Sequence, residues 1–356
     1  MKKTAFFHIF AVCCIGLMIS SCNNSQNAVS EEQTELDANE NIPKGPHLIE
    51  VADVKQMLAG EENVVLIEVS KQDEFAKGHI AGAFNIWRAD YGDEGNFDYG
   101  GMRANKARME ALLSRMGVTP ESTIVLYEAK GGADAIRMMW LLDMYGHENV
   151  YYMNGGKTAW QQDGHELTTE PTPMPEATTY TFTGEPSTLR VIDFDDVVAA
   201  LEDENTVFLD TRTWDEYAGN PYINGDKVEP WKNGAYTFGR IPNSVHLEWV
   251  DMVDDKGDRR FIGLDEMRAK FEKIGVTPDK KIIAYCQSGV RSAHSTYVLT
   301  ELLGYPEVRN YDGSWIEWSY NYVNKQNVPI ERDLTEEEHA QKVAQLEAEL
   351  QKKTTD

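Results

Sequence analysis

Gly117-Val118-Thr119-Pro120 returns 158 residues later as Gly275-Val276-Thr277-Pro278, and the residues after each tetrapeptide keep step. At that spacing Ile124 answers Ile282, Tyr127 answers Tyr285, Gly131 answers Gly289, Val150 answers Val308 and Trp160 answers Trp318. Upstream, EVSKQDEF at 68–75 matches DTRTWDEY at 210–217, and GHIAGA at 78–83 matches GRIPNS at 239–244. The spacing differs between those two matches because the second copy carries an insertion of 19 residues, 220–238. A repeat this long is a duplicated domain, too large for a solenoid unit.

Each copy carries the same order of elements. A helical stretch (51–59; 193–201) leads to an apolar run (64–69; 207–209), then a helix (106–116; 264–274) and a second apolar run (123–127; 281–285). A loop, a further helix and a short strand complete each copy. Apolar runs without alternation, separated by helices, predict parallel strands buried on both faces. The fold class is therefore α/β: two domains, 46–166 and 189–332, each a parallel sheet covered by helices on both faces. The Thr- and Pro-rich stretch 167–188 is expected to be the linker. The end, 333–356, opens with TEEE at 335–338, a capping-box pattern, and reads as a charged helical tail.

The chain of 356 residues suits two domains with tails. Apolar residues make up 41% and charged residues 26%, which argues against wholesale disorder and against a polytopic membrane protein. Lys and Arg total 34 against 59 Asp and Glu, a formal charge of −25 that repels phosphate backbones, so no nucleic-acid partner is expected.

Lys2 and Lys3 precede an apolar stretch, 5–19, that ends in Ser20-Ser21-Cys22, the layout of a cleaved signal. ISSC at 19–22 resembles the lipobox of bacterial lipoproteins, with Cys22 as the lipidated residue and 23–45 as an acidic tether. That resemblance implies a membrane-attached protein of the cell envelope; Asn23 after the cysteine points to the outer membrane, facing the periplasm. Cys13 and Cys14 would leave with the signal. Of the four cysteines, Cys286 is then the single thiol in the folded body.

Cys286 opens CQSGVR, 286–291, between the apolar run 281–285 and a helix expected to begin near Ser292. Sites in parallel sheets lie at the carboxyl ends of strands. There the backbone N–H groups of Gln287, Ser288, Gly289, Val290 and Arg291, with the positive end of the helix, would favour thiolate over thiol. Gly289 allows the curl this needs, and Arg291 adds positive charge or stitches the loop closed. Asp210 is read as supporting the loop through hydrogen bonds. Arg212, Arg240, Lys71 and Trp315 are candidates for substrate binding. No histidine set has metal-ligand spacing and no phosphate-binding glycine loop follows a strand, so neither metal nor cofactor is expected.

At these residues both halves resemble rhodanese domains, and from about 46 to 330 the chain is similar to tandem-domain sulfurtransferases of the thiosulfate and 3-mercaptopyruvate types. FAKGHIAGA at 75–83 resembles the family's first pattern, with Ala81 where proline is usual; VRNYDGSWIEW at 308–318 fits its C-terminal pattern; CQSGVR is an active loop of the CxxGxR kind. The resemblance implies a sulfane sulfur carried from thiosulfate, through a Cys286 persulfide, to a cyanide or thiol acceptor. It implies small-molecule partners, and the duplication makes a monomer sufficient. In the first copy Glu128 stands at the place of Cys286 and Ala133 at that of Arg291, so that domain is expected to be inactive and to wall the cleft.

Where animal members of the family carry two cations for the donor, this chain has Ser288 and Glu216. Ser288 keeps 3-mercaptopyruvate open as a donor, and polysulfide is a further alternative; the D-x-R…E-Y pattern at 210–217 favours thiosulfate. Two readings compete from other classes. A cysteine phosphatase carries five residues between cysteine and arginine, where this loop has four. A non-catalytic sulfur-binding or sensing module would be expected to lose the loop cysteine.

Overall fold

The structure, a computed structural model, describes residues 41–60, 63–183, 191–219, 222–223, 226–227 and 234–332. The signal, the lipidation site Cys22, most of the tether, most of the insertion and the charged tail lie outside these residues.

The first half runs β1 (Leu48–Ile49), α1 (Val51–Gly60), β2 (Val64–Val69), α2 (Gln72–Lys77), β3 (Phe84–Ile86), α3 (Arg88–Tyr91), α4 (Lys106–Arg115), β4 (Thr123–Tyr127), α5 (Ala133–Met144), β5 (Val150–Met153) and α6 (Gly156–Gln162). The second runs β6 (Val191–Ile192), α7 (Phe194–Ala200), β7 (Thr206–Asp210), α8 (Trp214–Ala218), a hairpin of β8 (Tyr222–Ile223) and β9 (Asp226–Lys227), then β10 (Val245–His246), α9 (Leu264–Lys273), β11 (Lys281–Tyr285), α10 (Val290–Tyr297), β12 (Val308–Tyr311) and α11 (Ser314–Tyr320). Each half has a five-stranded sheet. The orders, β1-β5-β4-β2-β3 and β6-β12-β11-β7-β10, are the same order read through the duplication, and every pairing in both is parallel. The central strands β4 (TIVLY) and β11 (KIIAY) are buried beyond their first residue, as unalternating apolar runs require.

Three apolar clusters hold the molecule. One covers the outer face of each sheet, around Phe75 and Trp160 in the first half and Trp315 and Trp318 in the second. The third is shared, running from Ile67 and Leu126 through α5 and α10 to Ile282 and Val308. In α5 every residue but Asp143 is buried, and in α10 every residue but Arg291. The helices that follow the two duplicated loops thus pack on one another, and burying a Leu or Met in such a seam is worth about 2–5 kcal/mol against alanine.

The joint between the halves is reciprocal. Arg103 donates its backbone N–H to Asp312 (3.2 Å), and Phe261 donates its own to Asn154 (3.0 Å). Arg103 and Phe261 are 158 residues apart, as are Asn154 and Asp312. The same surface meets itself, as an approximate two-fold relation demands.

The connecting stretch does more than connect. Thr168 forms a bridge with His79, Thr178 donates its N–H to the Ser114 carbonyl (2.9 Å), and Tyr180 and Phe182 are buried against the first domain. Its described part, 167–183, is a strap on that domain.

Candidate active site

β11 delivers its last residue, Tyr285, to the carboxyl edge of the second sheet, and Cys286 follows at once. Gly289 takes a left-handed conformation (φ +76°) and caps α10, which therefore begins at Val290, two residues before the expected Ser292. The turn is tighter than the sequence suggests, and Arg291 and Ser292 stand in the helix's first turn. Ser314, itself at φ +50°, props the loop from below. Its Oγ accepts the N–H groups of Cys286 (3.1 Å) and Gly289 (3.0 Å) and donates to the Tyr311 carbonyl (2.6 Å). Trp315 and Ile316 donate their N–H groups to the carbonyls of Cys286 and Gln287, each at 3.0 Å.

This corrects the expected cradle. The Gly289 N–H is turned to Ser314 and away from the sulfur. The groups directed at Cys286 are the N–H groups of Ser288 and Ser292, with the Ser292 hydroxyl 3.6 Å from Sγ. That hydroxyl also lies 2.6 Å from Asn310 Oδ1. Cys286 is 1% exposed. Burial pushes its thiol up, but the positive charge of Arg291, together with these donors, outweighs burial and holds it below the ordinary thiol range.

Arg291 reaches Glu216 through both terminal nitrogens (2.6 and 2.8 Å). Burial raises the Glu216 carboxyl, and Arg291 more than reverses that, so Glu216 stays ionised. The carboxylate at 216 therefore departs from the animal pattern without leaving a bare negative charge: it fixes Arg291 in a bidentate pair beside the loop.

Three candidates are spent elsewhere. Arg212 is buried with its guanidinium on Asp210 and on the Gly239 carbonyl (2.8 Å), stacked over Trp315 (5.0 Å). In the first domain Lys157 makes the matching contacts, to Glu68 and to the Gly78 carbonyl. A domain with no cysteine needs the same cation, so Arg212 ties a strand end to the next loop and does not face substrate. Asp210 holds that loop through Arg212 and also lies beside Tyr285, the residue that precedes Cys286. Arg240 lies in a backbone bridge with Glu331, its guanidinium over Tyr217 (4.6 Å), at the place where His79 bridges Thr168. Trp315 is 1% exposed and donates its ring N–H to the Thr237 carbonyl (2.9 Å), so it is core and not a substrate wall. Lys71 caps α2 and is exposed. Val290 is buried as the first residue of α10, and Ser288 lies against Gly101 of the first domain.

Several residues that meet here carry no signal in the sequence. Ser292 and Ser314 sit inside motifs whose pattern rests on a cysteine, a glycine and a tryptophan. Arg88, opening α3, belongs to the first domain and binds Asp134 through Nε (2.6 Å) and Nη2 (2.9 Å). Its side chain is 49% exposed, and Cys286 is among the negative groups that hold it protonated. Arg103 and Arg137, also of the first domain, both end on Asp312. No spacing rule brings an arginine of one domain to the loop of another.

The equivalent loop of the first domain holds Glu128. Its carboxyl accepts the N–H groups of Gly132 (2.7 Å) and Asp134, filling the amide pocket with its own oxygens. Asp134 and Ser292 are equivalent positions, so the same helix amide addresses a carboxyl in one domain and a sulfur in the other. Gly156, at the place of Ser314, lies so close to the Glu128 carbonyl that no side chain fits there. Trp249 and Val253 of the second domain pack against Gly131 of this loop.

Comparison with known proteins agrees with this geometry. The family model for the rhodanese-like domain matches residues 50–163 and again 193–321. A thiosulfate sulfurtransferase of Pseudomonas aeruginosa is 32% identical over 80% of this chain and 97% of its own. The sulfur carrier protein TtuD of Thermus thermophilus is 35% identical over 71% of this chain and 85% of its own. Among solved structures, EanB in complex with ergothioneine superposes with a TM-score of 0.68 at 23% identity, covering 82% of this chain and 71% of that one, a likeness of fold. By both matched segments and by relatives that align along nearly their whole length, the chain belongs to the rhodanese-like family, as a sulfurtransferase built of two tandem domains.

Proposed function

We propose that this sulfurtransferase takes its sulfur from thiosulfate and carries it as a persulfide on Cys286. The observation that carries the reading is the free thiol of Cys286, single among the described residues, held below its ordinary pKa in a pocket of inward N–H groups beside Arg291. The Cys286 thiolate attacks the outer sulfur of thiosulfate. A sulfur–sulfur bond forms to Sγ, the bond to the sulfonate sulfur breaks, and sulfite leaves with its electron pair. Cyanide or a thiolate then attacks the terminal sulfur, and the Cys286 thiolate departs as leaving group. The amides of Ser288 and Ser292 favour the anion before and after transfer. The relatives named for thiosulfate support this donor over 3-mercaptopyruvate and polysulfide. Arg88, half exposed and in the field of the sulfur, is the cation we assign to the donor's anionic end.

The test is intact mass under non-reducing conditions on a protein begun after Cys22, with thiosulfate or 3-mercaptopyruvate in separate tubes and then cyanide. A gain of about 32 Da, one sulfur, that needs Cys286 and is lost to cyanide supports the mechanism. A protein that gains nothing from either donor overturns it.

The leader supports a second proposal, a lipid anchor at Cys22 that ties the enzyme to the outer membrane facing the periplasm. Labelling of the wild-type protein by a clickable fatty acid, absent in Cys22→Ala, is the expected result; equal labelling of both removes the anchor.

A further inference from the structure

We infer that Arg137, on α5 of the non-catalytic domain, is a positioning residue for the sulfur-carrying loop; the inference rests on Cys286 being that carrier. Asp312, at the carboxyl end of β12, is buried, and first-domain arginines occupy both its oxygens. Arg137 Nη2 takes Oδ1, while Arg103 gives Oδ2 its Nη1 (2.8 Å) and its backbone N–H (3.2 Å). The remaining terminal nitrogen of Arg137, Nη1, reaches the carbonyl of Gly289 (3.3 Å).

That carbonyl is the corner of the loop. It also accepts Asn310 Nδ2 (3.2 Å) and the N–H of Ala293 (3.2 Å), the bond that starts α10. The backbone lies directly on the ion pair: a Cβ on Gly289 would stand 3.0 Å from Arg137 Nη1 and 2.7 Å from the Asp312 carbonyl oxygen. The guanidinium itself is held over the Trp140 ring, 4.5 Å from its centre. Gly289 sits between Ser288 and the first turn of α10, so its setting aims the Ser288 and Ser292 amides at Sγ.

The duplication supplies its own control. At the equivalent places on the other side of the joint stand Ser295 for Arg137, Asn154 for Asp312 and Phe261 for Arg103. That set makes the same backbone contact, Phe261 N–H to Asn154 at 3.0 Å, with an amide in place of the carboxylate; Asn154 gives its own Nδ2 to Glu50 (2.8 Å). Buried ion groups bring desolvation cost and are weak evidence of stability, and the fold makes the equivalent backbone contact with an amide at 154 where a carboxylate stands at 312. On the other side the nearby charges, Arg260 with Glu50 and Asp163, pair at a partly exposed rim, whereas the ion pair of Arg137 with Asp312 is buried directly under the loop that holds the cysteine. Arg137 covers the negative end of the Gly289 carbonyl and, fixed by Asp312, sets that corner of the loop.

The experiment gives 137 and 312 the neutral side chains of the equivalent positions, Arg137→Ser with Asp312→Asn, which leaves Arg103 in place and the net charge unchanged, alongside Arg137→Lys, in the otherwise intact enzyme. The readouts are the pH midpoint of Cys286 alkylation by iodoacetamide, kcat and KM for thiosulfate, and Tm. The expected result for the neutral pair is a midpoint raised by about one pH unit, a tenfold smaller thiolate fraction below it. Sulfur loading at pH 7 then falls roughly tenfold through kcat, with KM little moved, and Arg137→Lys, whose ammonium keeps the charge but not both contacts, shows a smaller shift of the same sign. A lowered Tm with wild-type midpoint and kcat in both variants overturns the inference, leaving Arg137 a joint residue only. Should the neutral pair fail to fold, Arg137→Lys decides: its guanidinium-to-ammonium change loses the contact to Gly289 or Asp312, and an unmoved midpoint overturns the inference. If the wild-type protein takes no sulfur from any donor yet the midpoint still moves, the positioning role stands and the transfer reading is what fails.

Discussion

The loops after β4 and β11 are one piece of architecture used twice, and they differ in what fills the pocket and in what lies outside it. After β11 the pocket holds a sulfur, propped by Ser314 and flanked by Arg291. After β4 it holds the carboxyl of Glu128, bonded to the N–H groups of Gly132 and Asp134. Outside, the equivalent positions Arg88 and Trp249 face opposite loops: a half-exposed cation stands in the field of Cys286, and an indole presses on Gly131. An inward-facing amide pocket is thus a property of the fold, while chemistry requires a nucleophile and a positive neighbour together.

The largest effect on this contrast is expected from the cysteine. Cys286→Ser should abolish sulfur loading, since a serine hydroxyl is not ionised near neutrality and is a poor nucleophile toward sulfane sulfur. Adding Glu128→Cys to that variant should restore nothing, because Ala133 supplies no charge where Arg291 stands in the second domain. Persulfide mass on the thiol introduced at position 128 of the double variant would show that the amide pocket alone suffices.

A smaller effect is expected at Arg291. Arg291→Met alone would strand a partly buried carboxylate and lower stability for that reason, so the informative variant joins it to Glu216→Gln. Removing the cation takes away the charge that overcomes burial at Cys286. The thiol pKa rises, the alkylation limb moves to higher pH, and loading at pH 7 falls roughly tenfold to a hundredfold, a shift of about one to two pH units. Stopped-flow alkylation between pH 5 and 10 checks it, and an unmoved limb would return the low thiol pKa to the amides alone.

Smaller again, Arg88→Met should act on donor binding, with KM for thiosulfate up about tenfold, roughly 1.4 kcal/mol, and the Cys286 alkylation limb nearly in place. Steady-state kinetics with thiosulfate against a neutral sulfane donor separates the two; equal losses with both donors would reassign Arg88 to the Asp134 pairing alone.

Much of the fold is legible in the chain because the duplication states it twice. The unalternating runs at 64–69, 123–127 and 281–285 are central strands, and the paired spacing of Gly131 and Gly289 locates both loops. The cysteine loop is legible because its chemistry is local: one thiol, one glycine and one arginine within six residues. The cations are not. Arg212 looks available beside Asp210, yet a buried carboxylate at a strand end recruits the nearest cation, and only the structure shows Lys157 doing the same task for Glu68. Arg88, Arg103 and Arg137 reach the second domain across a joint that no periodicity records. The Thr- and Pro-rich stretch reads as a linker because its composition excludes helix, and that composition is blind to Tyr180 and Phe182 packing as single anchors.

The smallest effect on activity is expected at Glu128, whose substitution should be felt chiefly in stability. Burial, with the nearby charge of Asp134, raises its carboxyl well above the ordinary carboxylate range. Between the pKa of an unfolded glutamate and that raised value the folded chain holds a proton that the unfolded chain has released. Over this window the native state binds more protons, so stability falls as pH rises. Glu128→Gln keeps an oxygen for the Gly132 N–H and carries no titrating proton. Its stability relative to wild type should therefore grow from pH 5 to pH 8, while sulfur transfer at Cys286 changes less than about twofold, the scale of a site outside the reacting atoms. Denaturant melts at those two pH values, with cyanide-dependent turnover alongside, check both halves. A variant that loses ground as pH rises would mean that Glu128 is ionised in its pocket, held there by the same amides that serve the sulfur.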